Sequence, residues 1–312
     1  MDTKKPSTVY FCPRITPENL VKVYEMLNRP VQGRVCAKLS TGEGGNPNHL
    51  SVDVIKQLIE QTNATIVECN TTYEGTRNTT YEGTRNTTPA HMQTAREHGF
   101  TAIADVDIMD RDGDVALPVP GNPKHIKENF VGKNWLDYDF TMVLSHFKGH
   151  IMAGFGGALK NVAIGMASAK GKSLIHTAGV SEQVPLDFTK ICEQDDFLES
   201  MAEACASVFK HAGNNILFIS VANNLSVDCD CAYRPEPAKI SDIGILASLD
   251  PVALDRACVD MIYNNPEPGK KDLIERMEGR HATHLLDYAE QIGLGQQNYE
   301  IVNVEPVPFE FE

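Results

Sequence analysis

The chain has 312 residues, 42% of them hydrophobic and 22% charged, with a formal net charge of −14. That is ample material for a core, and it excludes wholesale disorder. An acidic balance also argues against nucleic acid or an anionic membrane surface as a main partner, while leaving room for a small anion in a locally basic pocket.

The N-terminal segment MDTKKPSTVYF has no long apolar core, and no window approaches the 18 or so apolar residues of a membrane span. Eight cysteines (12, 36, 69, 192, 205, 229, 231 and 258) are scattered along the chain, most of them singly in apolar runs. There a reduced thiol behaves as a small core hydrophobe, so the expectation is a cytoplasmic protein rather than a disulfide scaffold. The sequons at Asn63, Asn70, Asn78 and Asn86 are then without meaning.

In chain order, Val9–Phe11 reads as a strand and Pro17–Leu27 as a helix with Leu20, Val23, Tyr24 and Leu27 on one face. A strand over 34–39, the loop 40–49, a helix over 51–61 and a strand over 65–69 make a βαβ pattern that favours a parallel sheet. NTTYEGTR at 70–77 is then repeated letter for letter at 78–85. Two copies of eight residues do not make an array, so this reads as a duplication that lengthens one loop, with either copy able to take the original position. A helix over 89–98, a strand over 102–106 and a Pro/Gly-rich stretch over 110–123 follow.

The second half opens on an apolar strand, 140–145, running into His146. Further on come a helix over 195–211, a strand over 216–221 and another over 242–247. Asp250 with Pro251 starts a helix that turns Val252, Leu254, Ala257, Cys258 and Met261 inward. A helix over 283–292, an edge strand over 299–304 and a loosely held tail complete the reading. The expected fold is α/β: mixed, largely parallel sheet(s) flanked by helices, in two interlocked lobes, 1–135 and 136–312.

No Asp or Glu occurs between Asp139 and Glu182. At this acidic content such a gap arises by chance well under about one time in a hundred. It holds Lys148, Lys160, Lys170 and Lys172, three histidines and seven glycines. Glycines permit close backbone approach to a ligand, and lysines supply charge for phosphate or carboxylate. A buried, tightly turned segment would look much the same.

His146 and His150 form an HxxxH, the spacing of a metal or acid–base pair if the segment were helical. Gly154-Phe155-Gly156-Gly157 is not a full dinucleotide fingerprint, so a nicotinamide site is disfavoured. The strand-to-helix loop with Gly42, Glu43, Gly44, Gly45 and Asn46 sits where α/β proteins place ligand-binding turns. In Asp228-Cys229-Asp230-Cys231, the C-x-C pair can share a metal or cluster with ligands from elsewhere, or form a plain turn. The flanking carboxylates would raise the thiol pKa values, which argues against a reactive nucleophile.

KLSTGEGGN (38–46), the NTTYEGTRN block, HFKGHIMAGFGGALKNVAIGMAS (146–168), DCDC (228–231) and DIGILASLDPVALDRA (242–257) together resemble the bacterial and archaeal domain-of-unknown-function family 362 over about residues 34–263. Longer relatives carry a ferredoxin module with two four-iron clusters, and no C-x-x-C-x-x-C run occurs here. The middle motif is also similar to the nickel-pincer lactate racemase family: His150, Ala153-Gly154-Phe155-Gly156-Gly157, Lys160 and His176 fall in the same order. That resemblance implies that Lys160 holds a cofactor, His150 is an acid–base residue and His176 a metal ligand.

The combined expectation is a metal- or cofactor-dependent enzyme of redox or racemase type with an anion-binding cleft. His146, His150 and Lys160 would be catalytic, and Gly42, Glu43, Asn46, Lys148, Gly156, Gly157 and Lys160 would bind the cofactor. His150, His176, Cys229 and Cys231 would bind metal: nickel, iron or zinc, or an iron–sulfur cluster. The alternatives are a metal or cluster carrier working through Cys229 and Cys231, with a redox protein as partner, and a simple anion binder.

Overall fold

The computed structural model describes residues 5–73 and 83–308. Its frame is an eight-stranded sheet in the order β12-β1-β11-β10-β7-β2-β3-β4. These strands are β1 (Ser7–Cys12), β2 (Val35–Lys38), β3 (Thr65–Glu68), β4 (Val106–Ile108), β7 (Phe140–His146), β10 (Ile216–Ala222), β11 (Gly244–Ser248) and β12 (Tyr299–Asn303). Two small hairpins complete the strands: β5 (Asp114–Pro118) with β6 (Glu128–Gly132), and β8 (Lys148–His150) with β9 (Gly154–Gly156). The run from β10 through β7, β2 and β3 to β4 is parallel, and β11 is antiparallel to both of its neighbours. Strands from the two halves interleave, since β1 lies between β11 and β12.

Alternation along β7 shows why helices cover both faces. Phe140, Met142 and Leu144 enter one core with residues of α1 (Pro17–Met26) and α2 (Val52–Thr62). Val143 enters the other core, built from α4 (Ala158–Met166), α6 (Gln194–Ala212), α7 (Pro251–Tyr263) and α9 (His284–Gln291). The remaining helices are α3 (Thr88–Glu97), α5 (Ala169–His176) and α8 (Lys270–Glu278). Helix starts follow the local sequence: Thr16 accepts the N–H of Asn19 at 3.2 Å, and Asp250 accepts those of Val252 and Ala253. No helix among the described residues is long and apolar enough to cross a membrane.

Several expectations shift. The strand expected over 102–106 is β4, displaced to 106–108 because Gly99 and a 3₁₀ turn at Phe100–Ala102 bury Phe100 first. α4 and α5 fall inside the glycine-rich stretch, where glycine lowers helix propensity and hides the period. Gly165 and Gly171 permit close packing there. A Cβ on Gly165 would stand 2.3 Å from Lys38 Nζ, and one on Gly171 2.2 Å from the Phe130 carbonyl oxygen. The start of the expected loose tail is fastened: Val307 N–H donates to Asn19 Oδ1 at 2.7 Å, and Lys22 Nζ to the Glu305 carbonyl. Residues 309–312 lie outside the described residues.

Candidate functional site

Parallel strands β2, β3, β7 and β10 end together, and beyond their carboxyl ends lies a cleft of about 120 Å³. That is room for about four water molecules or one small organic acid. It opens where the chain order reverses, β2 leading outward to β3 and β7 the other way to β10, which is the usual ligand position in an open α/β sheet. Most of its wall comes from the acid-free stretch, joined by Glu68, Arg85 and the Cys229–Cys231 turn.

The floor is a buried charge network at the ends of β2 and β3. Glu68 accepts Thr41 N–H and Oγ1 at 2.7 Å each, and meets Arg85 at 3.3 Å, His91 at 3.4 Å and Lys38 at 3.7 Å. Burial opposes its ionisation, but Lys38, Arg85 and His91 outweigh that and hold the carboxyl well below its usual range. Lys38, with no exposed surface, donates to Leu39 O and Asn161 Oδ1; burial lowers its ammonium to about 8.

Arg85 belongs to the second copy of the duplication. The described ends of the repeat are Asn70–Tyr73 from the first copy and Gly83–Arg85 from the second; residues 74–82 lie outside the described residues. Thr71 N–H donates to the Arg85 carbonyl at 2.8 Å, and Tyr73 Oη donates to Glu43 Oε2 at 3.0 Å, the carboxylate that also pairs with Arg85. Among the described residues, the front of the first copy and the back of the second both line the site.

The 40–46 loop serves the cleft from behind. Of this loop only Ser40 reaches the cleft lining. Glu43 is fully buried against Thr84 and Arg85, and its N–H donates to the Asp230 carbonyl at 2.7 Å. Asn46 Nδ2 donates to the carbonyls of Cys229 and Ala232. At Gly42, φ is +75° and a Cβ would meet His49 at 2.7 Å, so the glycine shapes the turn. Of the three residues expected to bind a cofactor, Glu43 and Asn46 fasten the loop to the 228–231 turn and Gly42 shapes it; none of them lines the cleft.

The three histidines are held by different hydrogen-bond patterns. Nδ1 of His146 meets Asp230 Oδ1 at 2.8 Å and its Nε2 meets the Asn223 carbonyl at 2.6 Å. Both ring nitrogens are thus engaged within the protein, which leaves neither for metal or substrate. His150, at the end of β8, uses Nδ1 to accept the N–H groups of Met152 and Ala153 at 3.1 and 3.0 Å. Burial, then Lys160 and Lys148, push its pKa well below the ordinary value, so the ring is neutral and its proton sits on Nε2. His176, in the last turn of α5, is the reverse. Its Nδ1–H donates to the Lys172 carbonyl at 2.6 Å, burial lowers the ring to about 4, and no group among the described residues takes the Nε2 lone pair. The HxxxH pair therefore spans a strand end and a hairpin, not a helical face.

Four cations join them. Lys148 Nζ donates to Asp230 Oδ2 at 2.6 Å, and Lys172 Nζ to the Ala167 carbonyl at 2.6 Å. Burial works against ionisation of Asp230, yet Lys148 and His146 hold its carboxyl far below the usual range. Arg85 is the third cation. Lys160, in the first turn of α4, faces the cleft with no hydrogen bond or salt bridge among the described residues. Burial, then the charge of Lys148, lowers it to about 7. Gly156 and Gly157 lead into α4, whose first N–H groups, from Ala158 and Leu159, are accepted by Asp255 of α7 at 2.7 and 2.9 Å.

His150 lies with Cys229 and Cys231 in a group of donor atoms within 4.8 Å of one another, which His176 does not share. The two cysteines are joined as a disulfide, so the expected pair of thiolate ligands is not present in this state. A second group of donor atoms, His125 with Asp196 and Glu199, lies on α6 and the segment before β6, away from the cleft. There Lys124 Nζ already sits 2.6 Å from Glu199, forming an ion network. The contributions of Glu68, Arg85 and Asp255 had no signal in spacing, because each acts across more than fifteen residues of sequence.

The sequence model of the family described as Domain of unknown function (DUF362) matches residues 35–260. No curated protein matches the sequence. Among solved structures, the lactate racemase apoprotein from Thermoanaerobacterium thermosaccharolyticum is similar at 12% identity and a TM-score of 0.44, over 81% of this chain and 56% of that one. A Thermotoga maritima protein from a structural genomics programme is similar at 12% identity and a TM-score of 0.40, over 88% of this chain and 58% of that one. The chain thus spans a little over half the length of these two structures.

Proposed function

Taking as premise that this chain belongs to the DUF362 family, a domain of unknown function, we propose that it is a metal- or cofactor-dependent cytoplasmic enzyme that moves a proton or electrons on a small organic anion. One observation carries the reading: two neutral, buried histidines of opposite tautomer share a cleft with an amine that has no partner among the described residues and is poised near neutrality. Such groups are poor at holding a fold together and suited to chemistry.

In this reading Lys160 anchors the cofactor or the ligand's anionic or carbonyl end, and Lys172 and Arg85 supply positive field. His150 donates Nε2–H to oxygen where negative charge develops, as a neutral imidazole can. His176 offers its Nε2 lone pair as a metal ligand or base. His146, Lys148 and Asp230 position the wall.

A cofactor held through one lysine amine and one imidazole, as the racemase resemblance implies, fits this donor set. Lys160 has no partner among the described residues, and His176 presents a lone pair fixed by its Nδ1 bond. When bound, such a group would supply Lewis-acid or hydride chemistry. His150 does not fit as a ligand, because ligation through Nε2 would turn an Nδ1–H toward two backbone N–H groups.

The test is metal analysis together with proton NMR in D₂O against a panel of small 2-hydroxy and 2-oxo acids. Stoichiometric metal lost in His176→Ala, and deuterium incorporation lost in Lys160→Met, are the expected results. A metal-free protein that binds none of these acids overturns the reading. The adjacent Cys229 and Cys231 in the cleft wall favour a second reading, a metal or cluster carrier that works once their bridge is reduced. In that case Cys229→Ser would remove the metal and Lys160→Met would not.

A further inference from the structure

Cys229 and Cys231 are bonded to one another, while Cys12, Cys36, Cys69, Cys192, Cys205 and Cys258 are free. The bridge joins residues only two apart in sequence and so closes about the smallest loop available. A link of that kind constrains the unfolded chain least and is a poor staple for a fold. The turn is also held without it, by Asn46 on the carbonyls of Cys229 and Ala232 and by Glu43 on that of Asp230. A lone bridge in a chain whose other thiols stay reduced belongs to the transient, redox-working kind.

Its surroundings agree. Both cysteines line the cleft; Cys229 is buried and Cys231 is partly accessible. The tautomer of His150 directs an Nε2–H toward Cys231 Sγ, 3.9 Å away, where it can stabilise negative charge on that sulfur. The flanking carboxylates, expected to repel such charge, are both occupied. Asp230 is paired with Lys148 and His146, and Asp228 lies 3.6 Å from Arg276.

We propose that Cys229–Cys231 is a redox-active pair that stores two electrons in the wall of the cleft, with Cys231 as the sulfur that exchanges. A thiolate of a dithiol reductant attacks Cys231 Sγ; the bond to Cys229 breaks, and Cys229 leaves as a thiolate that takes up a proton. The second thiol of the reductant then attacks the mixed disulfide through its own sulfur and releases Cys231 facing His150 Nε2–H. One protein disulfide and one dithiol become one protein dithiol and one cyclic disulfide, with two electrons and two protons transferred. This goes beyond the anion-handling activity and stands without it.

The experiment uses the full chain purified in air. It is incubated natively with or without dithiothreitol, trapped with N-ethylmaleimide, and mapped by peptide mass spectrometry while circular dichroism follows the fold. Without dithiothreitol the 229–231 peptide should be unlabelled. With it, both cysteines should label while the fold is unchanged, and the partly accessible Cys192 should label in both conditions as the control. His150→Leu should slow the reduction about tenfold, and His150→Gln, which keeps an N–H donor, should restore it. Two free thiols in the air-purified protein, or a bridge that opens only as the fold is lost, would overturn the proposal.

Discussion

Asp255 and Gly157 fit together across the helix layer: a Cβ on Gly157 would stand 2.4 Å from Asp255 Oδ1, the same atom that accepts the Ala158 N–H. α4 has no side-chain cap of its own, so a carboxylate from α7 closes its first turn and aims Lys160 into the cleft. Gly157→Ala should therefore destabilise the protein by roughly 2–4 kcal/mol, because the carboxylate must leave two buried N–H groups. Urea unfolding checks this. An unchanged midpoint would mean that α4 needs no cap.

Lys160 yields a pH test. Its amine titrates near 7 in the fold and near 10.5 when unfolded, so between those values the unfolded chain binds more protons and stability rises with pH. Lys160→Met removes that burden. It should raise Tm most below pH 7, where the buried ammonium is charged, and least near pH 10, while abolishing ligand binding. A Tm gain independent of pH would show that Lys160 is solvated.

The two neutral histidines should separate in a paired assay. His176→Ala should abolish metal retention, measured by elemental analysis. His150→Ala should keep the metal and weaken binding of a small carboxylate about tenfold, by titration calorimetry. Loss of metal from His150→Ala would reverse the assignment made from their hydrogen bonds.

Glu203 of α6 accepts the N–H groups of Lys124, His125 and Ile126 and the Tyr288 hydroxyl, so one buried carboxylate clasps the segment before β6 to α6 and α9. Glu203→Ala should destabilise by about 3–5 kcal/mol in urea, with the cleft chemistry intact where the protein is folded. Its neighbour Glu199 adds an acid limit. Burial raises its pKa, but hydrogen bonds from Lys124, His125 and His284 prevail and hold it at about 2. The stability this contributes is present above about pH 4.5 and lost as pH falls toward 2, which acid unfolding of Glu199→Gln should reveal as a smaller loss in that window.

Deleting residues 74–81 rejoins Tyr73 to Glu82 and recreates a single NTTYEGTR. Since Tyr73 and Arg85 dock from different copies, both anchors survive the deletion. Stability should rise by less than about 1 kcal/mol, the scale of a loop-length change. A large loss would give the inserted residues a role of their own.

Much of this protein was legible before folding. Period-two and period-3.6 patterns marked most strands and helices, and Thr16 and Asp250 marked helix starts, because these signals are local. The acid-free stretch pointed to the cleft because an accumulation of unopposed cations is a property of composition. What composition could not show was partnership. That Asp230 neutralises Lys148, that Glu43 pairs with Arg85, and that Glu203 clasps a distant segment all depend on elements far apart in sequence. The tautomers of His150 and His176 likewise follow from which backbone groups the fold presents to each Nδ1. Residue types and their charges are set by the chain alone. Which nitrogen holds a proton, and which lysine is left without a partner, is decided only where distant segments meet out of water.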